Sequence, residues 1–145
     1  MRLESNRSVA SVFAAVALTV PLCLLASCAS AEGRLDKLRT DPMASYELPS
    51  ALSTQTSEMV GGFCGVCSPS RIRRTFTVPP GEGEVAIAEI AAAAVDADWN
   101  LEENGRGGFG GLKRINGINA QLRIIGLISD DVVWFELYSR TGQNE

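Results

Sequence analysis

Histidine is absent from all 145 residues. That removes Ser-His-Asp and Cys-His catalysis, the His-bearing zinc sites and the commonest general base near neutral pH. Cysteine is scarce too. Only Cys23, Cys28, Cys64 and Cys67 occur, and without a second Cys-x-x-Cys pair a four-thiolate metal centre lacks its donors. No block of like charge stands out, and the formal net charge is −4, against the basic footprint that nucleic acid requires. The carboxylate pairs Asp96/Asp98, Glu102/Glu103 and Asp130/Asp131 fall at a helix end and at turns, where they read as solvated surface. No catalytic set, metal site or cofactor site emerges from these residues.

What the chain does have is one long uncharged run. Arg2 and Arg7 open it, no charge occurs from Ser8 to Ala31, and the interior is rich in Ala, Val and Leu. A basic start, an apolar middle and a small-residue exit is the layout of a secretory signal peptide. The exit reads Leu25-Ala26-Ser27-Cys28.

That tetrad resembles the lipobox of bacterial lipoproteins: an aliphatic residue, two small residues and a Cys. The resemblance covers the first 28 residues. It implies that Leu25, Ala26 and Ser27 are read by a dedicated signal peptidase, which cuts before Cys28. It also implies that the Cys28 thiol carries a diacylglyceryl group, with the new amine often acylated by palmitate or a similar chain. Two or more fatty chains give a stable membrane anchor, at roughly 0.8 kcal/mol per buried methylene. Ala29 stands where an Asp often signals inner-membrane retention. Two other readings compete. An uncharged run of this length also spans a bilayer uncleaved, and Cys28 also fits an incidental residue near an ordinary cleavage site. In the first of these, as in the lipoprotein, Arg2 and Arg7 hold the amino terminus inside. Export is the expectation that all three share.

The division that follows is a signal peptide at 1–27, a lipidated Cys and flexible tether at 28–62, and a small domain at 63–145. The leader holds Arg2, Arg7 and Glu4, so the mature part keeps 11 basic and 16 acidic residues, a formal charge of −5. Residues 29–62 are polar and broken by Pro42 and Pro49. As a flexible coil they would span about 30 Å. Glu32 to Arg39 fits a helical turn or two. The stretch Asp41-Pro-Met-Ala-Ser-Tyr-Glu-Leu-Pro is similar to openings of small actinobacterial lipoproteins of unknown role, which implies no activity.

Downstream, 71–78 alternates with β-branched and aromatic residues and ends at Pro79-Pro80, so it reads as a strand. From 82 to 98, Ile87, Ile90, Ala91, Ala94 and Val95 recur at helical spacing, and the Ala run has high helix propensity. Strand patterns follow around 99–103, 111–115, 118–128 and 132–140, with Asn116-Gly117 as a hairpin turn and another turn at Asp130-Asp131. The expectation is an α+β fold: one helix packed on a small antiparallel sheet of four or five strands, in the order β-α-β-β-β-β. Alternation points Ile72, Phe76, Val78, Leu122, Ile124, Val133, Phe135 and Leu137 inward. It points Arg73, Thr75, Arg123, Ile125, Leu127, Trp134, Glu136 and Tyr138 to the other face. With no second helix to cover it, that face is a candidate binding surface through Arg73, Arg123, Trp134 and Tyr138. A covering tether, a second subunit or a bulge that turns Trp134 into the core would account for it equally.

Two motifs remain. Cys64-Gly-Val-Cys67, in an oxidising compartment, defaults to a disulfide that closes a small ring. Its functional alternative is a thiol-disulfide oxidoreductase pair, suggested by Cys-Gly-x-Cys and by the nearby Arg71, Arg73 and Arg74. Gly105-Arg-Gly-Gly-Phe-Gly110 matches G-x-G-x-x-G, but a strand follows it where a dinucleotide site needs a helix, so it reads as a hairpin loop. The function expected is a non-enzymatic binding or accessory module of the envelope, whose partner is a protein or cell-wall material. The rival is a membrane-tethered thiol oxidoreductase using Cys64 and Cys67.

Overall fold

A computed structural model describes residues 32–61, 68–105, 107–126 and 131–140. Six strands form one fully antiparallel sheet. They are β1 (Ser53–Met59), β2 (Arg71–Thr77), β3 (Asn100–Asn104), β4 (Gly108–Ile115), β5 (Ile118–Gly126) and β6 (Val132–Ser139), in the spatial order β1-β2-β6-β5-β4-β3. Helix α1 covers 32–39 and helix α2 covers Gly83–Asp96, so the architecture is α+β. Among the described residues no helix is long and apolar enough to cross a membrane.

The sheet has six strands rather than four or five, and the extra strand is β1. Its residues, Ser-Thr-Gln-Thr-Ser-Glu-Met, are exposed throughout. An edge strand that buries neither face needs no apolar alternation, so the usual strand signal is missing there. Backbone pairing with β2 holds it, from Ser53 opposite Thr77 to Met59 opposite Arg71.

The expected tether also differs. Residues 32–61 belong to the folded unit: Leu35, Leu38, Met43 and Leu48 are buried in the same core as the sheet. Burying each such side chain contributes about 1.5–3 kcal/mol before ordering entropy is charged against it. Asp41 organises this segment. It caps the short 3₁₀ turn Pro42–Ser45 by accepting the Met43 N–H at 3.0 Å. The same carboxylate accepts the Trp99 indole N–H at 3.2 Å and pairs with the Lys113 ammonium at 2.9 Å. Lys113 also donates to the Ala97 carbonyl just beyond α2, where a positive charge suits the helix C-terminus. Tyr46 packs edge-on to Phe76, with 6.3 Å between ring centroids, and Phe76 meets Phe135 at 6.0 Å. Arg74, buried on the core face of β2, donates to the Ala44 carbonyl and pairs with Glu47.

Helix α2 packs on β5, β6 and β3 through Gly83, Ala86, Ile90, Ala91 and Ala94. Ile87 is partly buried, while Val95, expected on this side, is 57% exposed. Successive helical residues turn by about 100°, so a stripe centred on Ala86, Ile90 and Ala94 carries Val95 out to solvent. The helix ends in a Schellman arrangement: Asp98 N–H bonds the Val95 carbonyl and Trp99 N–H bonds the Ala94 carbonyl. Asp98 takes the left-handed position with φ 61°. The Asn116-Gly117 turn forms as expected, with φ of 45° and 86° between the paired Ile115 and Ile118.

Candidate binding face

Because strand side chains alternate and directly paired residues share a face, the register fixes what each side of the sheet carries. The inner side holds Ile72, Phe76, Val133, Phe135, Leu137, Leu122 and Ile124, all buried. Both helices supply side chains to this one core. The outer side carries three neighbouring rows. One runs Asn100, Leu112, Gln121, Tyr138, Arg71, Met59; the next runs Glu102, Gly110, Arg123, Glu136, Arg73, Ser57; the third runs Ile125, Trp134, Thr75, Gln55, and Asn104 pairs with Gly108 at the β3 edge. No helix among the described residues covers this side. Arg73, Arg123, Trp134 and Tyr138 therefore do share one outward face, and Trp134 does not turn into the core.

At its centre the face is tightly paired. Glu136 is 6% exposed despite pointing outward, because cations close over it. Arg73 donates to it through Nε at 2.7 Å and Arg71 approaches at 3.4 Å. The Arg73 guanidinium also lies 4.5 Å from the centre of the Trp134 ring. Such stacking is worth about 0.5–1 kcal/mol near a surface. Arg123 stands opposite Glu136 in the register but stays exposed, with no ion-pair partner among the described residues. Burial holds the Tyr138 phenol above its ordinary value, against the opposing pull of Arg123. It is therefore a protonated donor at neutral pH.

Towards β3 the face sinks into an open cavity of about 440 Å³, lined by Asn100, Glu102, Asn104, Gly110, Leu112, Gln121 and Arg140 among others. None of these was singled out from the sequence as a site. The glycine run was the available signal, but it reads as a hairpin loop. Here the structure corrects the expectation: Gly107 stands between β3 and β4 with φ 71°, while Gly108, Gly110 and Gly111 lie within β4. Asn104 is fixed by the turn, its Oδ1 accepting the Gly108 N–H at 3.2 Å.

Leu25, Ala26, Ser27 and Cys28 lie outside the described residues, as do Cys64, Cys67 and Leu127. On either side of the cysteine pair the chain runs in β1 and β2, antiparallel neighbours. A helix directly after the pair, which a thioredoxin-type site uses, is not found at that flank. Among the described residues no group of three or more Cys, Asp or Glu side chains is placed to hold a metal ion. No family model, curated protein or solved structure matches this chain.

Proposed function

We propose that this protein is an exported lipoprotein, held on the outer face of a cell membrane through lipid on Cys28, whose outer β-face binds an envelope partner without performing chemistry on it. The observation that carries the binding half is the open face itself. It presents an indole, a phenol and an exposed Arg123 on a rigid sheet whose other side is filled by both helices. Rigid aromatic groups beside guanidinium groups are what protein and glycan partners engage most strongly. The anchor half is supported by the tetrad Leu25-Ala26-Ser27-Cys28 at the end of an uncharged run.

Two measurements test it. Mass spectrometry of the mature amino terminus should find Cys28 carrying diacylglycerol, and Cys28→Ser should abolish that mass; an intact Met1 refutes cleavage. In cells, crosslinking should capture a neighbour that the Trp134→Ala, Tyr138→Ala double variant loses. Identical captures from wild type and variant refute the binding face.

A further inference from the structure

The three glycines of β4 are not equivalent. A Cβ on Gly108 would lie 2.4 Å from the Ile124 carbonyl oxygen, and one on Gly111 would lie 2.7 Å from that of Asn100, so packing requires both to be bare. Among the described residues, a Cβ on Gly110 would meet only the Leu122 carbonyl oxygen, at an ordinary 3.8 Å. Its φ is not in the left-handed region. Glycine inside a strand costs stability through chain entropy and lost side-chain packing. Neither steric crowding nor backbone conformation accounts for it at Gly110. What lies over it is the cavity of about 440 Å³, within the range of small-ligand sites.

We infer that this cavity is a saccharide-binding subsite, with the bare Gly110 backbone as its floor. The lining sets the ligand class. Glu102 offers only acceptors, Arg140 only donors, and the Asn100 and Gln121 amides offer both, which matches hydroxyl groups that donate and accept at once. Leu112, 53% exposed, supplies an apolar wall for the C–H side of a sugar ring. Tyr138 stands one strand beyond Gln121 in the same row, where a second ring would meet its phenol. Glu102 and Glu103 outnumber Arg140 in the lining, so the site lacks the clustered cations that a phosphate or other anion demands. It is too polar for an acyl chain. A neutral glycan remains.

The inference rests on the outer face being a binding face, and the test keeps the two apart. The full chain, purified with its lipid in a sugar-free detergent, is titrated with chitotriose, cellotriose and inorganic phosphate by calorimetry. Saturable binding of one oligosaccharide and none of phosphate is expected. Gly110→Ala should keep or raise the unfolding midpoint yet weaken binding at least about tenfold, because the methyl fills the floor. Should that variant fail to fold, Glu102→Gln, exposed and without a partner among the described residues, should weaken binding instead. No saturable oligosaccharide binding, binding of phosphate alone, or binding unchanged in the variant that folds overturns the proposal. If it falls while the Trp134, Tyr138 variant still loses its crosslink, the ligand class is wrong and the face stands. If glycan binding holds but the crosslink is indifferent to Trp134 and Tyr138, the subsite stands and the wider face falls.

Discussion

Replacing Asp41 with alanine tests whether the segment before β1 is part of the domain or a tether. The carboxylate side chain is 1% exposed and serves three donors: the Met43 N–H, the Trp99 indole and the Lys113 ammonium. Alanine leaves the indole of Trp99, itself 2% exposed, buried without an acceptor, which costs about 1–3 kcal/mol. It also breaks a buried ion pair, typically about 3–5 kcal/mol when one partner is removed. The lower end applies, because the Lys113 side chain is 22% exposed and keeps the Ala97 carbonyl. These terms overlap, so the expected loss is about 3–4 kcal/mol, a large share of the roughly 5–15 kcal/mol that holds a domain together. With a urea slope near 1.5 kcal/mol per molar, the midpoint should fall by about 2 M. Equilibrium unfolding followed by tryptophan fluorescence measures it. Lys113→Met should cost a comparable amount by stranding the carboxylate, and the double variant should lose less than the sum by about 1–3 kcal/mol. A fall below about 0.5 kcal/mol for Asp41→Ala, the level of an ordinary surface change, would refute the docked segment.

Two further outcomes follow from local geometry. Asp98 holds the left-handed position at the end of α2 and sets a negative charge at the negative end of the helix, so Asp98→Gly should stabilise by about 0.5–1 kcal/mol in thermal unfolding; a loss would contradict the cap. Arg74 beside it holds the Glu47 carboxyl below its ordinary value. A folded pKa below the unfolded one stabilises fully above the unfolded value, about 4.3, and the contribution disappears as pH falls through the lowered one. Glu47→Gln should therefore be less stable than wild type at pH 7, with the two curves converging in acid. A constant gap at all pH values would exclude Glu47 as the titrating group.

How much of this was legible depended on whether burial imposed a period. In β6, Val133, Phe135 and Leu137 face the core while Trp134, Glu136 and Tyr138 face out, so alternation assigns both sides correctly. The Asn116-Gly117 turn announces itself because its backbone demands positive φ at both residues. Strand β1 was silent, since neither of its faces is buried and its place is set by backbone pairing with β2, which leaves no apolar period to read. Leu35, Leu38, Met43 and Leu48 were silent for a different reason. Each is buried, but the 3₁₀ turn and the irregular chain from Tyr46 onward break the spacing after α1, so no single period links them. Asp41 carries the same lesson: its partners Trp99 and Lys113 lie 58 and 72 residues away, beyond any local pattern.

The glycine run shows most clearly where a sequence pattern stops. In order, Gly107, Gly108, Gly110 and Gly111 look alike, yet they are not bare for one common reason. Gly107 supplies positive φ to the hairpin, while Gly108 and Gly111 make room for neighbouring carbonyls. Gly110 answers to neither demand. A fold indifferent to a methyl group at that position would gain strand stability from alanine, so keeping glycine there is a cost that packing does not offset. Among the described residues, Gly110 lies between Glu102 and Arg123 on that side and opens on the cavity walled by Glu102, Leu112, Gln121 and Arg140. On the saccharide reading proposed above, a ligand resting on the bare backbone is what a methyl group at Gly110 would displace. Gly110→Ala is the substitution on which stability and binding should move in opposite directions.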